Sequence, residues 1–402
     1  MGETFYAEPN EVAGLSRLIS ETGSQTLMSY KYFNEHAGPE GGYSGEIFGS
    51  LVAPLGGIRD IWRDRHVHLA ANCVELGGKL NVAAWLYADQ EKRNYEALNA
   101  HTDVVPIPYS DRGDAHRPAV GSVELYSSPA DYGHPEGIDY PPPVHLPDDT
   151  ADVIADAAGW LGDVDYAIEE LIGHSPLRQL IDPIGGNWND LRRLGAAYRI
   201  AGEAMACGGD ALERGTAAVD EFWDGMAAVA YEQYAAKQIA AMRWEGSCGR
   251  VIEAVADRAA DEIRKSVFAI VSNTREHLEA QFDLSSGAKV IDFLSKKVPV
   301  VGSGYQLYII ADILYSGYEL SKRMVDDIRM VTDAFQEFLS LVASPSGYLN
   351  EKFQQRIEPI TKGLNKLDLA KDIHDTASAS PMYNVPKDPY SFGTGTQPWA
   401  DA

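Results

Sequence analysis

Apolar residues return at three- and four-residue steps over most of this chain, the spacing that puts them on one face of an α-helix. Val12, Leu15, Leu18 and Ile19 set the first stripe. A helix is predicted from Asn10 to Ala37, with Asn10 as its N-cap and Pro9 just before it. The run Gly38-Pro39-Glu40-Gly41-Gly42 ends it. A second, longer helix is predicted from Ile47 to about Leu98, with Pro54 and Gly56-Gly57 as points of interruption. Its stripe runs through Ile58, Ile61, Trp62, Val67, Leu69, Leu76, Leu80 and Ala84. Two antiparallel helices on a short loop form a hairpin whose apolar face must be covered, by a partner hairpin or by later helices.

The periodicity then lapses. Between His101 and Pro147 prolines stand at 106, 108, 118, 129, 135, 141, 142, 143 and 147, so this stretch is a linker or irregular loop, with extended polyproline geometry favoured at Pro141-Pro142-Pro143. Helical pattern resumes from about Ala151 to Gly173, continues to Ala204 and from Ala211 to Phe222, and from Met226 runs almost unbroken to Gln281 apart from Gly246 and Gly249. A short helix from Gly287 ends before Pro299, a strong pattern fills Gln306 to Ala343, and a weaker one Phe353 to Ile373. Prolines and glycines make Ala377 to Ala402 a coil tail. No strand alternation is long enough for a sheet. The expected fold is all-α: an elongated bundle of helical hairpins with a proline-rich loop between two halves. The expected division is a hairpin over 1–100, a linker over 101–149, a helical domain over 150–285, a C-terminal helical region over 286–376 and a tail over 377–402.

Composition narrows the partners. The chain has 402 residues, 45% of them hydrophobic, enough for a sizeable core, and a net charge of −25. Such a surface repels nucleic-acid phosphates and anionic lipid, so nucleic-acid binding is disfavoured. The three cysteines, Cys73, Cys207 and Cys248, are too few and too far apart for a disulfide framework or a Cys-x-x-Cys metal site, and are expected as buried thiols. The first residues lack a basic region followed by an apolar one, so no ordinary secretory signal is expected there. No stretch of about 18 uncharged apolar residues exists, and a soluble protein is expected.

The stretch Val219 to Tyr234 organises the second half. Long helix-forming runs flank Trp223-Asp224-Gly225. Gly225 can take the backbone angles of a helix-to-helix reversal. Trp223 can cover the end of the hairpin, and Ala227, Ala228 and Ala230 allow close helix approach. Upstream stand Pro176-Leu177-Arg178-Gln179-Leu180 and Gly186-Asn187-Trp188-Asn189-Asp190-Leu191. In order and spacing, Leu177 to Tyr234 resembles the WxG-type domain of actinobacterial type VII (ESX) secretion substrates. The first hairpin, with Asn81-Val82-Ala83-Ala84-Trp85 and then Tyr87 and Glu91 four residues apart, is similar to the small ESX secretion-associated proteins, in which Tyr-x-x-x-Asp/Glu after the second helix marks the substrate for export. It departs from the minimal Trp-x-Gly proteins in having Gly41-Gly42-Tyr43-Ser44-Gly45 where their turn would be. The resemblance implies export by a signal-peptide-independent route to the cell surface or beyond. Tyr87, Glu91, Trp223 and Gly225 would form the secretion-signal residues, with Tyr87 as an aromatic anchor and Glu91 as a charge partner for a secretion ATPase or chaperone.

Candidate chemistry is sparse. His66 and His68 point to opposite helix faces and are read as solvated or capping groups. Asp372-Ile373-His374-Asp375 could supply an acid or base but has no nucleophile nearby in sequence. Glu169-Glu170 face different directions, and neither Gly185-Gly186 nor Gly302-Ser303-Gly304 is a phosphate loop. The expectation is therefore a non-enzymatic secretion substrate or effector, without cofactor or metal, acting by protein–protein interaction or self-assembly. A homo-oligomer or a small helical protein would be its partner, with membrane contact left open. Two alternatives stand beside it. One is a polymorphic toxin whose C-terminal helical region is the toxic or pore-forming part, and the other is an intracellular helical scaffold.

Overall fold

The computed structural model describes residues 6–41, 43, 45–99, 124–144, 161, 175–183 and 186–282, then 319, 322–326, 328–330, 332–340, 342, 367–377, 385, 386 and 390. Six helices are α1 Pro9–His36, α2 Glu46–Asn99, α3 Pro176–Ile181, α4 Trp188–Val219, α5 Met226–Phe282 and α6 Leu367–Ala377. The described residues of 319–342 are helical as well. The fold is all-α, and the described residues contain no strand beyond one isolated bridge, Ala7 with Trp223. The predicted helices over 151–173, 287–299 and 353–366, and Glu169-Glu170, lie outside the described residues, except that Leu161 is helical and buried.

Two long hairpins, α1 with α2 and α4 with α5, pack against each other. Around one part of the bundle Phe33, Trp62, Trp188, Tyr198 and Trp244 pack together, and around the other Leu15, Leu76, Tyr87, Met205, Trp223 and Tyr231. Each cluster draws on both hairpins, so the apolar face of the first is covered by the later helices. Close approach is built in. A Cβ on Gly202 of α4 would lie 2.4 Å from the Glu245 carbonyl oxygen of α5, and one on Gly77 of α2 would lie 3.0 Å from the Ser16 carbonyl oxygen of α1. Cross-helix hydrogen bonds fix the contacts: Ser16 Oγ to Gly77 O at 2.7 Å, Ser29 Oγ to Ala201 O at 2.9 Å and Gln238 Nε2 to Leu69 O at 2.8 Å. The buried Arg193 of α4 pairs with Asp190 at 2.6 Å and donates to the carbonyls of His36 and Gly38. A side chain of one hairpin thus satisfies carbonyls that the end of α1 leaves open.

Several boundaries differ from the sequence reading. The N-cap of α1 is Glu8, not Asn10, with Pro9 as the first helical residue. Proline lacks only an N–H that the first turn does not use. Glu8 is held by its own N–H, which donates to Phe222 O at 2.9 Å. Pro54 lies inside α2 without ending it. The carbonyl that proline cannot bond is that of Ser50, four residues back. It accepts from Gln336 Nε2 at 3.2 Å instead. Helix α4 runs unbroken through Gly208 and Gly209, where a gap after Ala204 was expected. Each glycine costs an isolated helix about 1 kcal/mol, but the missing side chains admit neighbours: a Cβ at Gly208 would lie 2.6 Å from Met242 Cε.

Residues 124–144 are irregular, as their prolines require, and lie along α1 as a strap. Ala130 N donates to Asn10 O at 2.8 Å, Arg17 reaches Asp131 at 3.1 Å, and Tyr32 Oη donates to Pro141 O at 3.0 Å. Extended polyproline-like chain rises about 3.1 Å per residue and a helix about 1.5 Å. The strap therefore needs only half as many residues as α1 to cover the same distance, which is the spacing of those contacts. Toward the C-terminus, Gln336 sits on the first turns of α2, while α6 packs on α5 through Arg250 and Asp372, at 2.6 and 2.8 Å, and through Trp244 Nε1 to Thr376 O at 3.2 Å. The 377–402 region, expected as coil, has two buried residues among those described, Pro386 and Tyr390, the latter in the second cluster.

His66 is neither solvated nor a cap. It is fully buried against Phe33 and Trp62, with its Nε2 3.8 Å from Glu245 Oε2. Glu245 is itself fully buried and accepts from Arg65 Nε at 2.6 Å, and the Arg65 guanidinium lies 4.6 Å from the centre of the Trp244 ring. Burial, and then the Arg65 charge, pushes the His66 imidazole down from its ordinary 6.5 to about 3. Between those values the unfolded chain takes up a proton that the folded chain refuses, so stability is lost as pH falls through this window. Burial raises Glu245, against the pull of Arg65, and that contribution has the opposite sign. Comparing wild type with His66→Leu isolates the histidine. Urea unfolding at pH 7 and pH 5 is expected to show the wild type losing about 2 kcal/mol more than the variant. Equal losses would contradict a neutral His66 in the fold.

Candidate functional site at the tip of the bundle

The reversal between α4 and α5 forms one end of the bundle. α4 ends at Val219, and Gly225, with φ of 94°, turns the chain into α5. A side chain there would be strained. The N-terminal segment clamps this turn: besides the Glu8 bond, Asp224 N donates to Tyr6 O at 2.9 Å, and Tyr6 N donates to the Asp224 carboxylate. Trp223 is thereby fixed inward and is almost fully buried.

Its indole Nε1–H donates to Tyr87 Oη at 3.1 Å, with the two rings edge-to-face at 6.3 Å between centres. On its other side the indole meets Tyr231 at 5.4 Å, whose hydroxyl shares a hydrogen bond with Thr216 Oγ1 at 2.8 Å. Trp223 and Tyr87, singled out on separate grounds in the two halves of the sequence, are direct partners. Tyr87 is only 4% exposed, so it is not a free surface anchor as it stands. Burial pushes its phenol up to about 12, with the Trp223 bond pulling the other way. Glu91, one turn further along α2, is exposed, and its carboxyl is raised by partial burial and by the Glu8 charge. The outer surface of the tip is thus acidic, with Glu8, Glu91 and Asp224 around the half-exposed Tyr6. Gly225 positions Trp223; Tyr87 and Trp223 hold the tip; Glu91 faces outward. Tyr231 could have been noticed, since it continues the alanine-rich run at helical spacing, whereas the N-terminal clamp leaves no sequence signal.

The other chemical candidates are committed elsewhere. Asp372 is buried in its pair with Arg250, leaving it no open position as an acid or base. His68 Nε2 lies 2.8 Å from Pro386 O. All three cysteines are free thiols, Cys73 and Cys248 buried and Cys207 half-buried. Burial pushes Cys73 up to about 12 and raises Cys248 well above its ordinary value, so both stay protonated. Among the described residues no group of three or more His, Cys, Asp or Glu is placed to hold a metal ion, and no helix is long and apolar enough to cross a membrane. An open groove of about 810 Å³ runs between α4 and α5, lined by Glu213, Asp220, Glu232 and Arg243 among others. Arg243 is tied to Asp210 at 2.7 Å and Glu213 at 2.8 Å.

No family model, no curated protein and no solved structure matches this chain.

The tip geometry sets an energetic expectation. Tyr87→Phe keeps the ring and removes only the acceptor, so it should cost about 1 kcal/mol in urea unfolding. Trp223→Ala empties the junction and should cost about 3–5 kcal/mol. Once Trp223 is Phe, the Tyr87→Phe effect should largely vanish. A double-mutant cycle without coupling would count against the bond as the link between the halves.

Proposed function

We propose that this protein is a non-enzymatic substrate of a type VII (ESX) secretion system, exported folded, with the tip of the bundle as its recognition surface. The observation that carries this is the Trp223–Tyr87 hydrogen bond. In the family that the sequence resembles, a Trp-x-Gly turn and a Tyr-x-x-x-Asp/Glu step are both associated with export. Here one chain places both at the same end of one bundle.

In this reading the roles divide by burial. Trp223, Gly225 and Tyr87 are positioning residues that hold a shape. Glu91 and the exposed acidic groups beside it are what a secretion ATPase or chaperone would touch, and a cationic surface is the electrostatic complement of such a patch. Outside the cell the protein would act by binding a partner or by self-association.

Glu91 is the clean test because it is exposed and its loss need not disturb the core. Glu91→Ala is expected to leave the thermal midpoint unchanged while lowering export into the culture filtrate of the native host by at least about tenfold, the scale of one interface hot spot. Tyr87→Phe is expected to fall between wild type and Glu91→Ala. Full export of a folded Glu91→Ala protein would sink the proposal.

A further inference from the structure

The groove between α4 and α5 has a regular lining. On α5 it takes every third or fourth position from Glu232 to Ser247, and on α4 the same steps from Glu213 to Asp220. Each set is one continuous helix face. At about 1.5 Å per residue the α5 side is about 22 Å long, roughly four turns of helix. Alanine makes much of the floor, Ala217, Ala236 and Ala240, beside Ile239. Ala217 and Ala236 are exposed, and small side chains at a helix contact let a second helix axis come close. Helix α6 already packs on α5 at one end: Trp244 Nε1 donates to Thr376 O at 3.2 Å, and Asp375 lines the groove. From there the open volume of about 810 Å³ extends toward the Gly225 reversal.

Charge decides what fits there. The walls carry Glu213, Asp220, Glu232 and Asp375 against one cation, Arg243. Arg243 is held by Asp210 at 2.7 Å and Glu213 at 2.8 Å, so its charge is neutralised within the wall. Arg250, whose charge Asp375 also feels, is taken up by Asp372 at 2.6 and 2.8 Å. Asp220 of the α4 side and Glu232 of the α5 side face each other. Burial, and then the Asp220 charge, raises the Glu232 carboxyl. A positive charge seated between the two would favour the ionised form of both. A second copy of this chain, at net charge −25, is a poor complement to such walls.

We propose that the α4–α5 groove is a docking site for a basic amphipathic helix of a partner protein, with small apolar residues on the alanine floor and lysine or arginine against Asp220, Glu232 and Asp375. Helix-in-groove recognition reads anchors at i, i+3, i+4 and i+7, the steps at which the groove itself is built. Opposite potentials across such a contact steer the encounter and fix its register. The inference does not depend on the secretion reading and can fail or hold without it.

The probe is a synthetic helical peptide of about sixteen residues, the length of the α5 side, with alanine and leucine along one face and arginine on both flanks, labelled for fluorescence anisotropy. The full-length chain should bind it saturably, and more weakly as salt is raised. Asp220→Asn with Glu232→Gln should weaken binding at least about tenfold, the scale of one interface hot spot. Both side chains are exposed, so the thermal midpoint should hold. Ala236→Arg places a bulky cation on the floor and should weaken binding by at least as much. Glu35→Gln with Asp64→Asn removes the same charge from exposed positions on the other hairpin and should leave the affinity unchanged. Equal weakening by the two charge pairs would reduce the attraction to net charge and overturn the proposal. Equal binding of a scrambled peptide without an apolar face, full affinity in a folded Ala236→Arg chain, or no binding to wild type would each overturn it too. Concentration-dependent dimers that the peptide dissolves would put a second copy in the groove and overturn the choice of partner.

Discussion

The alignment of the α1–α2 hairpin on the α4–α5 hairpin constrains the rest of the molecule. Three polar pairs mark it: Arg65 with Glu245, Asn72 with Gln238, and Tyr87 with Trp223. Arg65 and Asn72 are seven positions apart, as are Gln238 and Glu245; Asn72 and Tyr87 are fifteen apart, as are Trp223 and Gln238. Equal steps keep the first two pairs in line, because both helices rise about 1.5 Å per residue, and Tyr87 meets Trp223 in the turn just before α5. A slip of one residue along either helix would turn its side chains by about 100° and break the first two pairs together.

Apolar packing alone specifies such a register weakly. Buried polar pairs discriminate more sharply, since a misaligned one leaves donors and acceptors without water or partner. They are not primarily a source of stability. Removing the Arg65–Glu245 charges from water costs much of what their attraction returns. Glu245 Oε2 and both nitrogens of His66 have no hydrogen-bond partner among the described residues. The centre of the bundle therefore favours one alignment and also carries the acid-sensitive group of the fold.

What the sequence disclosed follows from this. Period and punctuation located both hairpins, the Gly225 reversal and the irregular proline stretch, because those depend on neighbours in the chain. They misjudged Pro54 and Gly208-Gly209, because what sustains the helix there is distant: Gln336 for the one, Met242 for the other. They placed His66 in solvent for the same reason. A polar residue looks external until its partners, well over a hundred positions away, are known. Tyr390, in a segment with every mark of a coil, was hidden too, since a single anchoring ring needs no periodicity. At the tip the chemical identities of Tyr87 and Trp223 were legible, but not that each would be buried by the other.

That mutual burial changes how a folded export signal of this kind would work. Two aromatic groups out of reach of a partner cannot be its contact points. They can fix the position of what is in reach. Tyr87 and Glu91 lie on one face of α2 a single turn apart, so holding the phenol against the indole sets where the Glu91 carboxylate stands relative to the turn and to the N-terminal clamp of Tyr6 and Glu8. Partial burial, and then the Glu8 charge, raises the Glu91 carboxyl. A cationic partner would offset the Glu8–Glu91 repulsion on docking, and on a chain of net charge −25 the tip would gain from it without any change in the bundle. Recognition would then depend on how the two hairpins are aligned as much as on any exposed residue, because a slipped bundle would carry the same charges in the wrong places.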